Sequence, residues 1–307
     1  MKGKVLVTGS SGTIAATLIP LLRTKGYQVI GLDRLPSMHV QGTTDIVWDL
    51  TNPIPKRIGE FDYIIHLAAN SRVYYSVLNP EVSQENMVST FNVLEFARRQ
   101  KEYNGYAPNI IFSSSREVYG NCEDANGIER KEEEQTNENC ESNYSASKIS
   151  NECQIRAYNK QYDIDYIIFR FSNVVFGHDY SKDTVIPTWI RNAQSGIDLI
   201  LYGENKSLDF TYIYDTCYGI YTSVELFNIV KNNTINLGGG KANDLLEVAK
   251  HIIKVTKSDS KIVIKPTRRG EVHLYHANID KAKNLLGYRP TMDLKLEIES
   301  AIKEKRY

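Results

Sequence analysis

The chain has 307 residues, 41% of them hydrophobic and 24% charged, the make-up of a soluble globular protein with one large domain or two unequal ones. Lysine plus arginine balance aspartate plus glutamate at 37 each, which removes any global electrostatic reason to expect nucleic acid or an anionic membrane as a partner. No apolar run approaches a membrane span, and Met1-Lys2-Gly3-Lys4 passes straight into a strand without a signal sequence, so a cytoplasmic protein is expected.

The four cysteines (Cys122, Cys140, Cys153 and Cys217) form no Cys-x-x-Cys pair and suit reduced thiols, although a Cys122–Cys140 bridge across a surface loop stays open. His273-x-x-His276 is the one close histidine pair and has no evident third ligand, so no metal site is expected.

Lys4–Thr8 reads as a short buried strand that breaks at Gly9-Ser10-Ser11-Gly12-Thr13-Ile14-Ala15 into a helix from Ala16 to Lys25. Such a turn aims several backbone N–H groups at the positive end of a helix dipole, a place for a pyrophosphate. Gly9 would allow the tight turn, Gly12 the close approach of phosphate and Ala15 the close packing of helix on strand; Ser11, Thr13 and Ile14 complete the cradle. A second strand, Gln28–Leu32, ends in Asp33, placed to hold a ribose diol and to repel a 2′-phosphate, which predicts NAD in preference to NADP. Arg34 directly after it works the other way, since a guanidinium can neutralise that phosphate.

Asp45–Trp48 is a third strand, with Asp49 and Leu50 at its tip as an adenine contact. Tyr63–Leu67 is a fourth, running into Leu67-Ala68-Ala69, whose small residues would let backbone approach a cofactor. Pro80–Arg99 is a long helix carrying Asn86 and Asn92, and Asn109–Phe112 is a fifth strand with Ser113-Ser114-Ser115 at its carboxyl end, the edge where open parallel sheets gather ligands. The hydroxyls of Ser113 and Ser114 are expected to satisfy the loop backbone. The polar, acidic stretch between Asn121 and Asn143 reads as a solvated loop or a lid.

A helix beginning at Asn143 or the serine beyond it, and running to about Gln161, carries Tyr144 and Lys148. Four residues apart, they share a helix face. A tyrosine works as a base at neutral pH only if its pKa falls by about three units, roughly 4 kcal/mol. One positive charge at about 5 Å in an effective dielectric near 20 supplies roughly 3 kcal/mol of this.

A sixth strand, Asp165–Phe171, follows, and then a less regular series: helix Val185–Ser195, strands Leu199–Tyr202 and Phe210–Tyr214, helix Asp215–Phe227, strand Thr234–Leu237, helix Leu245–Thr256, strand Lys261–Lys265, the turn Arg268-Arg269-Gly270-Glu271 and two closing helices. The alternation predicts an α/β fold: a doubly wound parallel, Rossmann-type sheet over residues 1–175, to which strands around 208–237 return, and a smaller C-terminal α/β substrate lobe over 176–307.

With the glycine loop, Asp33, Ser115, Tyr144 and Lys148 in this order, the chain resembles the extended short-chain dehydrogenase/reductases, specifically the nucleotide-sugar epimerase/dehydratase group. His66-Leu67-Ala68-Ala69, Asn86, Ser114 to Gly120, Arg170 to Asn173, Leu208 to Tyr212, Arg268 to Glu271 and Leu285 to Pro290 extend the likeness over nearly the whole length. The resemblance implies bound NAD and a nucleotide-diphosphate sugar oxidised at C4. It casts Tyr144 as base, Lys148 as the group that lowers its pKa and holds the nicotinamide ribose, and Ser115 as hydrogen-bond partner of the reacting oxygen.

It also implies that Leu67, Ala68, Ala69, Asn86 and Ser113 line the cofactor, that Asn173 and Arg268 meet the diphosphate, and that two subunits pair through their long helices as a homodimer. Two departures stand out. Leu208 occupies a position where many members have an arginine that grips phosphate. Arg116 occupies one where dehydratases have an acidic aspartate, so 4,6-dehydration is not expected. Glu117 is either a base toward C5 or a salt-bridge partner. Epimerisation at C4 is the first reading; a 4-dehydrogenase, a glucuronate-type decarboxylase and a silent NAD-binding regulatory protein are its alternatives.

Overall fold

The computed structural model describes residues 2–37, 45–121, 129–135, 137–177 and 184–304. Its largest element is a sheet of seven strands, all parallel, in the spatial order Asn233–Leu237, Tyr166–Phe171, Asn109–Ser115, Tyr63–His66, Lys4–Thr8, Gln28–Asp33, Ile46–Val47. From Lys4–Thr8 the chain first adds strands on one side and then, starting with Tyr63–His66, on the other. The crevice at that reversal opens at the carboxyl ends of the strands, where ligands of such sheets bind.

The sheet is buried on both faces, which is why its strands read as continuous apolar runs and not as alternating ones. Val5 and Val7 face one layer with Leu18, Ile19, Ile213 and Ile220, while Leu6 between them faces the other with Ile64, Val93, Leu94 and Ile110. The first layer is made by helices Thr13–Thr24 and Ile213–Glu225, the second by Glu81–Asn104 and Asn143–Tyr162. A third apolar cluster, including Ile186, Trp189, Leu201, Leu208, Ile252 and Ile298, belongs to the C-terminal part.

Two small sheets complete that part. One has the order Ala242–Asp244, Ser207–Tyr212, Leu274–Ala277, Glu129–Arg130, with Asn173–Val175 also paired to Ser207–Tyr212; the other joins Leu199–Tyr202 to Ile262–Lys265. Asp209, fully buried, accepts the amides of Gly239 (2.8 Å), Gly240 (3.1 Å) and Ala277 (3.0 Å). Burial pushes its carboxyl up to about 6 against the pull of those amides.

Several elements differ from the sequence expectation. The acidic stretch before Asn143 is not wholly solvated: Glu129–Arg130 is a strand, Glu132–Glu134 is a turn of 3-10 helix, and Arg130 and Glu132 are buried. The reason is non-local, because Asn236 on the last strand of the main sheet donates its amide to Glu132 (2.8 Å) and its side chain to the Arg130 carbonyl (3.0 Å). Helix Val73–Leu78 was not anticipated, and the helix expected from Asp215 starts at Ile213 and breaks before Phe227–Val230. Cys122 lies outside the described residues; Cys140, Cys153 and Cys217 are free thiols. Among the described residues no helix is long and apolar enough to cross a membrane.

Candidate active site

A cavity of about 560 Å³ occupies the crevice. At its floor the first strand turns through Gly9, whose φ of +71° is left-handed and whose absent Cβ would lie 2.7 Å from the amide nitrogen of Ala68. Only glycine fits there. Gly12, whose amide donates to the Gly9 carbonyl (2.9 Å), precedes helix Thr13–Thr24 and gives it no side-chain cap. The first turn therefore presents free N–H groups, and the Thr13 hydroxyl beside them is buried without a partner. Asp33 at the next strand end accepts the amides of Ser11 (3.1 Å) and Leu35 (3.0 Å) and keeps lone pairs to spare. An uncapped helix start, an orphaned hydroxyl and a carboxylate in this order fit the pyrophosphate and ribose of a dinucleotide.

Gly9, Gly12, Thr13, Ile14, Asp33, Arg34, Asp49, Leu50, Leu67, Ala68, Ala69, Asn86 and Ser113 all line the cavity, as do Ser115, Arg116, Glu117, Tyr144, Lys148 and Asn173. Two expected residues do not. Ser11 turns its hydroxyl to the carbonyl of Leu35 (2.7 Å) and donates its backbone amide to Asp33. Arg268 packs over the rings of Tyr202 (3.7 Å) and Tyr74 (4.8 Å) and pairs with Glu271 (3.6 Å). Asn86 lines the wall, but its amide is spent on the Asn70 backbone in both directions (2.8 and 3.1 Å), fixing the loop after Ala69.

Three successive serines meet the helix Asn143–Tyr162. The carbonyl of Ser113 accepts the Lys148 ammonium (2.7 Å), the hydroxyl of Ser114 donates to Glu152 (2.7 Å), and Ser115 hydrogen-bonds Tyr144. Ser113 donates its own hydroxyl to the His66 carbonyl (3.0 Å), a backbone role as expected, whereas Ser114 serves a buried carboxylate instead. The helix start that sets this register is capped by Ser142, which accepts the Ser145 amide (3.1 Å).

The electrostatics differ from the simple tyrosine–lysine picture. Burial pushes Lys148 down to about 7, with the Glu152 charge opposing it. The Tyr144 phenol lies above its ordinary value, first because it is buried, with the Ser115 hydrogen bond working against the shift and the Glu117 charge adding to it. The expected lowering of Tyr144 is thus not present in this arrangement. A lysine titrating near neutrality carries only part of a charge, and its ammonium, 5.8 Å from the centre of the tyrosine ring, is directed at the Ser113 carbonyl.

Arg116 and Glu117 pair with each other (2.8 Å), and both grip Val272, whose amide donates to Glu117 (3.3 Å) and whose carbonyl accepts from Arg116 (3.4 Å). Each carboxylate oxygen of Glu117 thus has one partner, Arg116 or the Val272 amide. Burial raises its pKa against the pull of Arg116. Asn173 donates to the Asp209 carbonyl (2.8 Å) across the paired strands.

Sequence reasoning missed the support beneath these groups. Glu152, one helical turn beyond Lys148, is clamped by Arg170 through two parallel bonds (2.9 and 2.8 Å) and by Arg156 (2.8 Å). Arg170 also donates to Tyr119 (3.1 Å) and to the Glu132 carbonyl (2.8 Å), and Tyr119 donates to Asn236 (2.6 Å). The spacing Tyr144, Lys148, Glu152 was the available signal, since it continues one stripe of the helix. Among the described residues no group of three or more His, Cys, Asp or Glu side chains could hold a metal ion.

The model of the NAD dependent epimerase/dehydratase family matches residues 5–238. A putative UDP-glucose 4-epimerase of Methanocaldococcus jannaschii is 30% identical, over 97% of each chain. The UDP-glucose 4-epimerase of Thermotoga maritima superposes over 99% of this chain and 98% of that one with a TM-score of 0.87 at 23% identity, a likeness of fold. The UDP-glucuronic acid 4-epimerase of Bacillus cereus, solved with UDP-glucuronic acid and NAD, covers 98% and 99% of the two chains with a TM-score of 0.85 at 25% identity.

Proposed function

This chain belongs to the NAD dependent epimerase/dehydratase family, and on that premise we propose that it inverts C4 of a nucleotide-linked sugar, a UDP-sugar in the first instance. The observation that carries the reading is the convergence of Ser115, Tyr144 and Lys148 on the dinucleotide crevice. Gly9, Gly12, Thr13 and Asp33 would hold NAD, which when bound supplies the acceptor and donor of the hydride at C4.

The protein's part is proton transfer and positioning. Tyr144 takes the proton of the C4 hydroxyl as the carbonyl forms and returns it as the hydroxyl is restored, with Ser115 holding the same oxygen. Its phenolate needs a positive neighbour, because burial alone disfavours it; Lys148, on the same helix face, would be that neighbour when protonated and turned from the Ser113 carbonyl toward the phenol. Inversion requires the keto sugar to turn over in the site between the two transfers, which favours holding it through its nucleotide, with Asn173, which lines the cavity, as the proposed diphosphate contact.

Arg116 and Glu117 are assigned to the wall. A guanidinium that stays protonated cannot donate the proton that a departing hydroxyl needs, and Glu117 is committed to Arg116 and Val272. Elimination of water is therefore excluded from the proposed cycle. The N-terminal sheet and its helices form the cofactor domain in this reading, and the cluster around Trp189 and Ile252 the substrate lobe. We also infer a cytosolic homodimer that pairs through helices Glu81–Asn104 and Asn143–Tyr162, the former exposing Phe91. Light scattering on the purified chain tests the dimer. The activity is tested by incubating the NAD-loaded protein with UDP-glucose, UDP-glucuronate and their N-acetylated counterparts. A C4 epimer of unchanged mass is expected; loss of water or of carbon dioxide would redirect the assignment.

A further inference from the structure

At the end of the second strand an acidic residue meets a ribose 2′-hydroxyl, whereas an arginine nearby accommodates a 2′-phosphate. This chain places both there, and Asp33 and Arg34 both line the cavity. Arg34 is not left to itself. Its Nη1 lies 3.7 Å from Oε2 of Glu85, which reaches it from helix Glu81–Asn104. Its charge also acts on Asp49, whose carboxyl is held below the usual carboxylate range by the amide and hydroxyl of Thr51 and then by Arg34.

Glu85 and Asp49 line the same cavity as Asp33 and Arg34. One guanidinium and three carboxylates therefore share this part of the lining, a formal surplus of two negative charges that would disfavour a phosphate dianion. Asp33 also accepts the amides of Ser11 and Leu35, and Asp49 the amide and hydroxyl of Thr51. Glu85, reaching across from helix Glu81–Asn104, is the one paired with Arg34 itself.

We propose that Glu85 determines the choice of dinucleotide, cancelling Arg34 so that the site accepts the ribose diol of NAD and refuses the 2′-phosphate of NADP. The proposal rests on the NAD reading above and adds the residue that enforces it. Both side chains of the pair are more than 45% exposed, so the pair contributes little to folding stability and the effect falls on selectivity.

The test is calorimetric titration of the full chain, freed of bound nucleotide, with NAD and with NADP. In Glu85→Gln the affinity for NADP relative to NAD should rise about fivefold, and in Glu85→Lys by more than about tenfold, as a negative charge is removed and then reversed. Adding Arg34→Leu to Glu85→Gln should abolish the gain, since no cation remains. An unchanged ratio in both Glu85 variants overturns the proposal while leaving the NAD reading intact. Wild-type protein that binds neither dinucleotide overturns the NAD reading and the proposal together.

Discussion

The two halves of the crevice are built from different material. The cofactor side is made mostly of backbone: the turn at Gly9, the free amides at the start of helix Thr13–Thr24 and the small residues Ala68 and Ala69. The side that would meet the sugar is made of side chains held by other side chains, with Tyr144 on Ser115, Lys148 on Ser113, and Arg116 and Glu117 on Val272. A backbone site depends on residues that are absent, so it is damaged by adding atoms. A side-chain site depends on charge partners, so it is damaged by removing them.

The largest effect is expected at the reacting oxygen. Tyr144→Phe should lower kcat by about a thousandfold, the order of a general acid–base contribution, with folding and NAD affinity retained. A rate within tenfold of wild type in a steady-state assay would remove Tyr144 from the role of base. Next comes the buried support. Glu152→Gln leaves the Arg170 guanidinium, 2% exposed, without its counter-ion and should cost about 3 kcal/mol in denaturant unfolding. An unchanged midpoint would mean that the clamp beneath the site is not a structural requirement.

On the backbone side, Gly9→Ala should cost about 2 kcal/mol of stability and most of the NAD affinity, through a strained φ and a methyl group pressed against Ala68. Thermal melts with and without NAD separate the two losses. A further effect concerns pH. Lys148 has a folded value near 7, well below that of the free side chain, so between these values the unfolded chain binds more protons than the folded one. Its contribution to stability is therefore present above the free value and is lost as pH falls through about 7. Lys148→Met should remove this rising slope from a plot of unfolding free energy against pH; an identical slope in the two proteins would place the lysine in water.

The same contrast explains what could be read from the sequence. Gly9, Gly12 and Asp33 were legible because a strand, a glycine turn and a helix in succession impose their own geometry within about thirty residues. Tyr144 and Lys148 were legible because helical spacing places them together. What Lys148 does to Tyr144 was not, since it depends on burial and on a carbonyl contributed by Ser113, 35 positions earlier. Glu152 and Arg170 form their pair only when the helix and strand pack, and the buried roles of Arg130 and Glu132 in an acidic stretch follow from Asn236, more than a hundred residues away. Ser11 and Arg268 mark the limit from the other side: they fit the pattern, yet their side chains are directed to Leu35 and to Tyr202.

The central claim is that the C4 hydrogen leaves the sugar as hydride and returns to its opposite face within one site. Supplying the wild-type protein with a UDP-sugar deuterated at C4 tests this directly by NMR of the product. The account predicts the C4 epimer with the deuterium still at C4 and no accumulation of reduced cofactor. Loss of the label to water, or a 4-keto product released with stoichiometric reduced cofactor, would contradict it.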